Sequence, residues 1–181
     1  MPDEAAKTVA AGPSLDFGQF IAYILPGFVV FYSVTAISAE AKTILDAALA
    51  KDTSAGAALI ILLSSLSLGV IVSGVRGIAL DPIQKRLAMK RSELNYEKLR
   101  DPNTLAAFRE AIDNRYRYAQ SYGNMALALG LWLILHFWIQ HVGILDQLPF
   151  FIILTSATIL LLLCHRSMLV DTYKALSKIL S

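Results

Sequence analysis

Four apolar stretches, residues 20–38, 57–80, 125–142 and 150–170, set the terms on which this chain can fold. A bilayer core of roughly 30 Å takes about 20 apolar residues in a helix, so each stretch is long enough to span one. Inside lipid a backbone has to satisfy its own hydrogen bonds, and runs without ten-residue strand alternation can do so only as helices. Composition agrees: 56% of the 181 residues are hydrophobic and 17% are charged. Soluble domains average roughly 45–50% and about 25%. The expected fold is all-α and integral to a membrane, with four transmembrane helices and a cytoplasmic helical hairpin between spans two and three.

Lysine and arginine set the orientation of such a chain, because cytoplasmic loops hold an excess of them. Residues 81–123 carry nine, among them Lys85, Arg86, Lys90, Arg91, Arg115 and Arg117, and the tail adds Arg166, Lys174 and Lys178. The other two loops hold only Lys42 and Lys51. Residues 81–123 and both termini are therefore assigned to the cytoplasm, and the protein to the inner (plasma) membrane. The expected divisions are a cytoplasmic segment 1–19, spans one and two over 20–80 with a short external helix, the basic hairpin 81–123, spans three and four over 124–170, and an amphipathic tail 171–181. The first eighteen residues set Asp3, Glu4 and Asp16 against Lys7, which does not fit a cleaved signal peptide.

Local signals fill in this outline. Asp81-Pro82 reads as a helix start, an N-cap acceptor followed by proline. That helix should run to Arg100, and a second should restart at Asn103 and Thr104. Leu105, Phe108 and Ile112 then share a face, Arg109 and Asp113 pair at i, i+4, and the helix leads straight into span three. Leu169, Tyr173, Leu176 and Leu180 form the apolar stripe of the tail. An external helix over 39–51 turns Ile44, Leu45, Ala48 and Leu49 inward.

The stretch SSLSLGVIVSGVRG repeats a small residue every fourth position, at Ser65, Gly69, Ser73 and Gly77. Such a stripe lets helices approach closely, and around an oligomer axis it would line a polar path. Arg76 beside it either snorkels to the headgroups, pairs with Asp81, or lines a cytoplasmic mouth. His136, Gln140 and His141 lie in the outer half of span three. The histidines diverge by about 140° on a helix, a poor metal geometry, and His136 is the better candidate for a contact between helices. His165-Arg166 reads as anchoring at the inner headgroups. Arg115, Tyr116, Arg117, Tyr118 and Tyr122 read first as an aromatic and basic belt, and second as a surface for a cytoplasmic protein or a nucleotide phosphate, with nucleic acid ranked last. Pro26-Gly27 marks a packing kink or a hinge in span one. Glu40, Asp46, Asp52 and Asp146 would give an assembled ring an acidic outer mouth.

No catalytic motif, metal set or cofactor loop is recognisable, and Cys164 is the single cysteine. Three function classes follow in order: a homo-oligomeric channel or pore favouring cations, a membrane-anchored sensor or docking subunit that binds a cytoplasmic protein, nucleic acid or anionic membrane lipid through its basic hairpin, and an enzyme or small transporter. Span count, short length and absent enzyme motif together resemble the small four-span membrane effectors of bacterial antiviral defence systems. That resemblance implies an oligomer that compromises the inner membrane when a partner senses infection.

Overall fold

Where the chain places its first proline-glycine pair, two helix backbones touch. Gly27 lies in α1 (20–34), a π-helical turn Phe20–Ile24 continued by Leu25–Val34. Gly69 lies in α3 (55–88), which runs as Ala55–Val75, a π-helical turn Arg76–Leu80 and Asp81–Ala88. A β-carbon on Gly27 would overlap the Ser65 carbonyl oxygen, and one on Gly69 would overlap that of Tyr23. Only glycine allows so close an approach. The computed structural model describes residue 18 and residues 20–50, 55–88, 95–139 and 147–180. Asp52, Gln140, His141 and Asp146 lie outside them.

All regular structure among the described residues is helical. Between α1 and α3, α2 (Ala39–Leu49) starts at a Ser38 cap whose Oγ accepts the Ala41 N–H at 3.1 Å. It buries Ala41 and Leu45 against Phe31. Leu49, expected to face inward, is 74% exposed, because it sits a full turn past Leu45 at the frayed end. A short 3-10 turn, Tyr96–Arg100, leads into α4 (102–139), which runs as Pro102–Ala111, a π-helical turn Ile112–Tyr116 and Arg117–Ile139. The last helix is α5 (Leu148–Leu180).

The long helices form a row, α3 beside α1, α1 beside α4 and α4 beside α5, in which α1 and α4 run parallel and the outer two run antiparallel to them. Val30, Val72 and Ala128 close the core where α1, α3 and α4 meet. Two helices are long and apolar enough to cross a membrane: α3 over Ala55–Gln84, and α5. α1 is a shorter apolar helix.

The end of the bundle that holds Asp81 departs from the expected layout in four places. Asp81 does not cap a new helix, since α3 continues through it and the carboxylate is buried. The wide π turn gives the Pro82 ring room that a regular helix would deny it. A 3-10 turn precedes Asp101, whose Oδ2 caps α4 by accepting the Thr104 N–H at 2.8 Å and the Thr104 hydroxyl at 2.7 Å. Asp113 pairs with Arg117 at 3.0 Å, not with Arg109. The tail is no separate piece: α5 runs on unbroken and buries Leu169, Thr172, Leu176 and Leu180 against the extension of α4. Thr172 takes the place expected for Tyr173. Asn95 then donates its N–H to the Leu180 carbonyl at 3.3 Å, satisfying one terminal acceptor.

Two predictions follow from this architecture. Gly27→Ala and Gly69→Ala should each destabilise the protein by about 1–3 kcal/mol or more through overpacking. Gly77→Ala, where a β-carbon meets nothing within 4 Å, should fall within about 0.5 kcal/mol of the parent. Thermal unfolding in detergent reads the difference. The Thr104 hydroxyl, and next the backbone N–H groups, hold the exposed Asp101 carboxyl below its ordinary value of 3.8. The cap is therefore fully present above pH 3.8 and is lost as pH falls through the lower folded value. Hydrogen exchange at the Thr104 amide should stay slow down to that pH, and Asp101→Ala should abolish the protection at every pH.

Candidate functional site: a buried charged cluster

Arg76 is 2% exposed and does not snorkel. Its Nη1 lies 2.7 Å from both carboxylate oxygens of Asp81, itself 3% exposed. In a regular α-helix residues five apart diverge by about 140° and could not meet this way. The π turn Arg76–Leu80, in which the Asp81 N–H bonds the Arg76 carbonyl, brings the two onto one side. The pair is thus a product of the helix defect.

Three further helices complete the cluster. From α4, Asn124 accepts the Arg76 Nε–H on Oδ1 at 3.0 Å and donates Nδ2–H to the Ala22 carbonyl of α1 at 2.7 Å. Only this orientation of the amide satisfies both partners. Ser121 likewise donates to the Ile21 carbonyl at 3.0 Å, so the π turn of α1 is bonded twice by α4. From α5, His165 is fully buried, with Nδ1 at 2.7 Å from the Ala119 carbonyl. A carbonyl can only accept, so Nδ1 carries the hydrogen. Nε2 is 3.2 Å from Asp81 Oδ1 but off the hydrogen-bond line, an electrostatic contact. The Tyr116 ring centroid stands 5.8 Å from the guanidinium carbon, within cation–π range. Gly123 supplies the space: a β-carbon there would lie 2.6 Å from Arg76 Cδ and 3.0 Å from His165 Nδ1.

The structure therefore separates residues that the sequence groups together. Ser65 and Gly69 are buried against α1, Ser73 is half-buried, and Gly77 is exposed. Gly27 and Pro26 are buried in the same seam. Of the basic-aromatic segment, Tyr116 turns toward Arg76 and Arg117 toward Asp113, while Arg115 and Tyr118 are exposed and Tyr122 is half-buried. His165 is a core group, in place of the headgroup anchor expected. Asn124 carried no expectation at all, although an amide opening an apolar run was the available signal. The stripe Leu169, Leu176, Leu180 carried back one turn reaches His165.

At the opposite end of the bundle His136 stacks on Trp132 with ring centroids 4.7 Å apart and meets Gln147 Oε1 through Nε2 at 3.1 Å. With Tyr32, Thr35, Lys42 and Asp46 it borders an open bowl of about 720 Å³. Glu40 is engaged locally: its own backbone N–H, and next the Ser38 hydroxyl at 2.8 Å, hold its carboxyl below the usual range. Asp81 and His165 are the metal-type ligands of the inner cluster, and no three such groups converge among the described residues.

No family model, curated protein or solved structure matches the chain. The chemistry of the cluster has to be read from its geometry, in which one carboxylate takes both bonds from Arg76 and stands 3.2 Å from His165 Nε2, with groups from four helices gathered around the pair. Asp81→Ala should cost about 3–5 kcal/mol by leaving Arg76 buried and unpaired. The double change Arg76→Met with Asp81→Leu should cost less than that, which denaturation in detergent measures. Equal losses would mean the pair acts as more than mutual neutralisation.

Proposed function

We propose that the chain is a four-span subunit of the inner membrane, with its hairpin and both termini in the cytoplasm, that assembles with copies of itself into an ion-conducting path. The uncovered apolar surface carries this reading. In the apolar windows of α3 and α5 only 17% and 6% is buried inside the subunit, whereas the core helix of a soluble protein would be mostly buried. Ile78 is 83% exposed and Ile153 65%. Apolar surface on this scale calls for lipid or protein cover. α1 and α4 lie between α3 and α5 in the same row of helices, so a membrane that admits the outer pair takes the inner pair as well. Exposed Arg115, Arg166, Lys174 and Lys178 stand at the inner end, where the positive-inside rule wants them.

Within the subunit the seam between α1 and α3 is closed at Gly27 and Gly69, so a conducting path would run between copies. The outward side of α3 offers Ser67 and Gly74, the latter with open space beyond it. Asp46, with Asp52 and Asp146 from the outer loops, would favour cations around such an axis. The layout resemblance extends the proposal to an antiviral effector whose pore opens on a cytoplasmic trigger. A second reading, a membrane-anchored subunit that docks a cytoplasmic regulatory protein, draws on the hairpin being held to α5 by the Asn95–Leu180 bond.

Purified full-length protein reconstituted in planar bilayers should give discrete, cation-selective current steps, and its mass in nanodiscs should be a multiple of the monomer. A strict monomer, silent under voltage and pH steps, would overturn the conducting assembly. Capture of one stoichiometric cytoplasmic protein by that silent monomer would favour docking.

A further inference from the structure

Between the π turn of α4 and the inner third of α5 lies an open cavity of about 580 Å³, bordered by Arg115, Met168, Asp171, Lys174, Lys178 and Ile179. Its size falls within the range of about 300–1,000 Å³ usual for ligand sites. Three cations from two helices face one carboxylate. That carboxylate is a weak counterion, because Asp171 lies 3.8 Å from Lys174 with both side chains more than half exposed. The charges are therefore not matched within the subunit. Arg115 stands across the groove from the lysines, so one anion between them would bridge α4 and α5.

Depth identifies the anion. Met168 follows Leu148 by twenty residues, about 30 Å of helix at 1.5 Å per residue, which is the thickness of the hydrocarbon core. Met168 thus lies at the inner edge of the bilayer, and Lys174 and Lys178 reach into and past the headgroup layer. Half-buried Met168 gives the groove an apolar wall at its membrane end, which a small inorganic anion would not use but a glycerol backbone and the upper part of an acyl chain would. Basic pockets on the cytoplasmic side of helix bundles suit such headgroups.

We propose that this groove binds the headgroup of an anionic phospholipid of the inner leaflet, with Arg115 on one side of the phosphate and Lys174 and Lys178 on the other. The inference rests on the orientation given under Proposed function but not on conduction. Lipid retention is read in detergent from the protein itself, so a silent bilayer and an empty groove are separate results.

Native mass spectrometry of the detergent-purified full chain, titrated with phosphatidylglycerol, phosphatidylcholine or inorganic phosphate, tests it. The expected result is one retained phosphatidylglycerol per subunit, weak phosphatidylcholine binding, and no competition by millimolar phosphate. Lys174→Ala with Lys178→Ala should weaken phosphatidylglycerol roughly 25-fold, about fivefold per cation. Asp171→Asn should tighten it severalfold by removing the competing carboxylate. Lys98→Ala with Arg100→Ala removes the same charge from exposed positions outside the groove and should change little. An equal loss in that control, equal binding of phosphatidylcholine, or displacement by phosphate would overturn the proposal.

Discussion

Arg76 and Asp81 form the contact on which the rest of this bundle turns. If these helices lie in lipid as proposed, the hydrophobic effect does little between them, since acyl chains are as apolar as leucine, and association rests on close packing and polar contacts. A buried guanidinium in that setting is costly unless every donor finds an acceptor. Here Asp81, Asn124 and the Tyr116 face answer it. Meeting the demands of one cation thus fixes the rotation of α4 through Asn124 and, by way of Asp81, that of α5 through His165. The same amide reaches the Ala22 carbonyl and so fixes α1. One charge sets the register of four helices.

The two ends of the bundle are consequently built on different principles. At the Arg76 end polar groups are buried and specific, and the three π-helical turns among the described residues gather there, at Phe20–Ile24, Arg76–Leu80 and Ile112–Tyr116. Each wide turn re-aims side chains or exposes carbonyls that a regular helix would keep to itself. At the opposite end the contacts are aromatic, with Trp132, His136, Phe137, Phe150 and Phe151 meeting stacked or edge-on. Such contacts tolerate small displacements better than a hydrogen-bonded ion pair does.

How much of this was legible in the residues depends on which signal each feature leaves. Apolar run length predicted four spanning helices, of which α3 and α5 are long and apolar enough to cross a membrane, and α4 leading unbroken from the hairpin into the apolar run was readable because no proline or glycine intervenes between Thr104 and Tyr122. The small-residue spacing gave the seam at Ser65 and Gly69, but not that Gly77 lies beyond it: spacing fixes a face of a helix, and the partner decides where contact ends. Two expectations at the Arg76 end, the Asp81 cap and the Arg109–Asp113 pair, assumed ideal helical turns. π turns leave no periodic trace in sequence, so they shift every pairing that spans them. His165 and Asn124 were obscured for a related reason: a single polar residue near a membrane boundary looks like an anchor until its burial is known.

The glycine seam also has a mechanical meaning. Because α1 and α3 touch backbone to backbone, neither can slide or rotate past the other without carbonyls colliding, and the two form a single stiff plank. α5, by contrast, hangs on α4 over most of its length. Any change of shape has to be taken up at the border between plank and α4 or between α4 and α5. The ion cluster lies across both borders, so any splaying of the far halves of these helices would have to pivot on it.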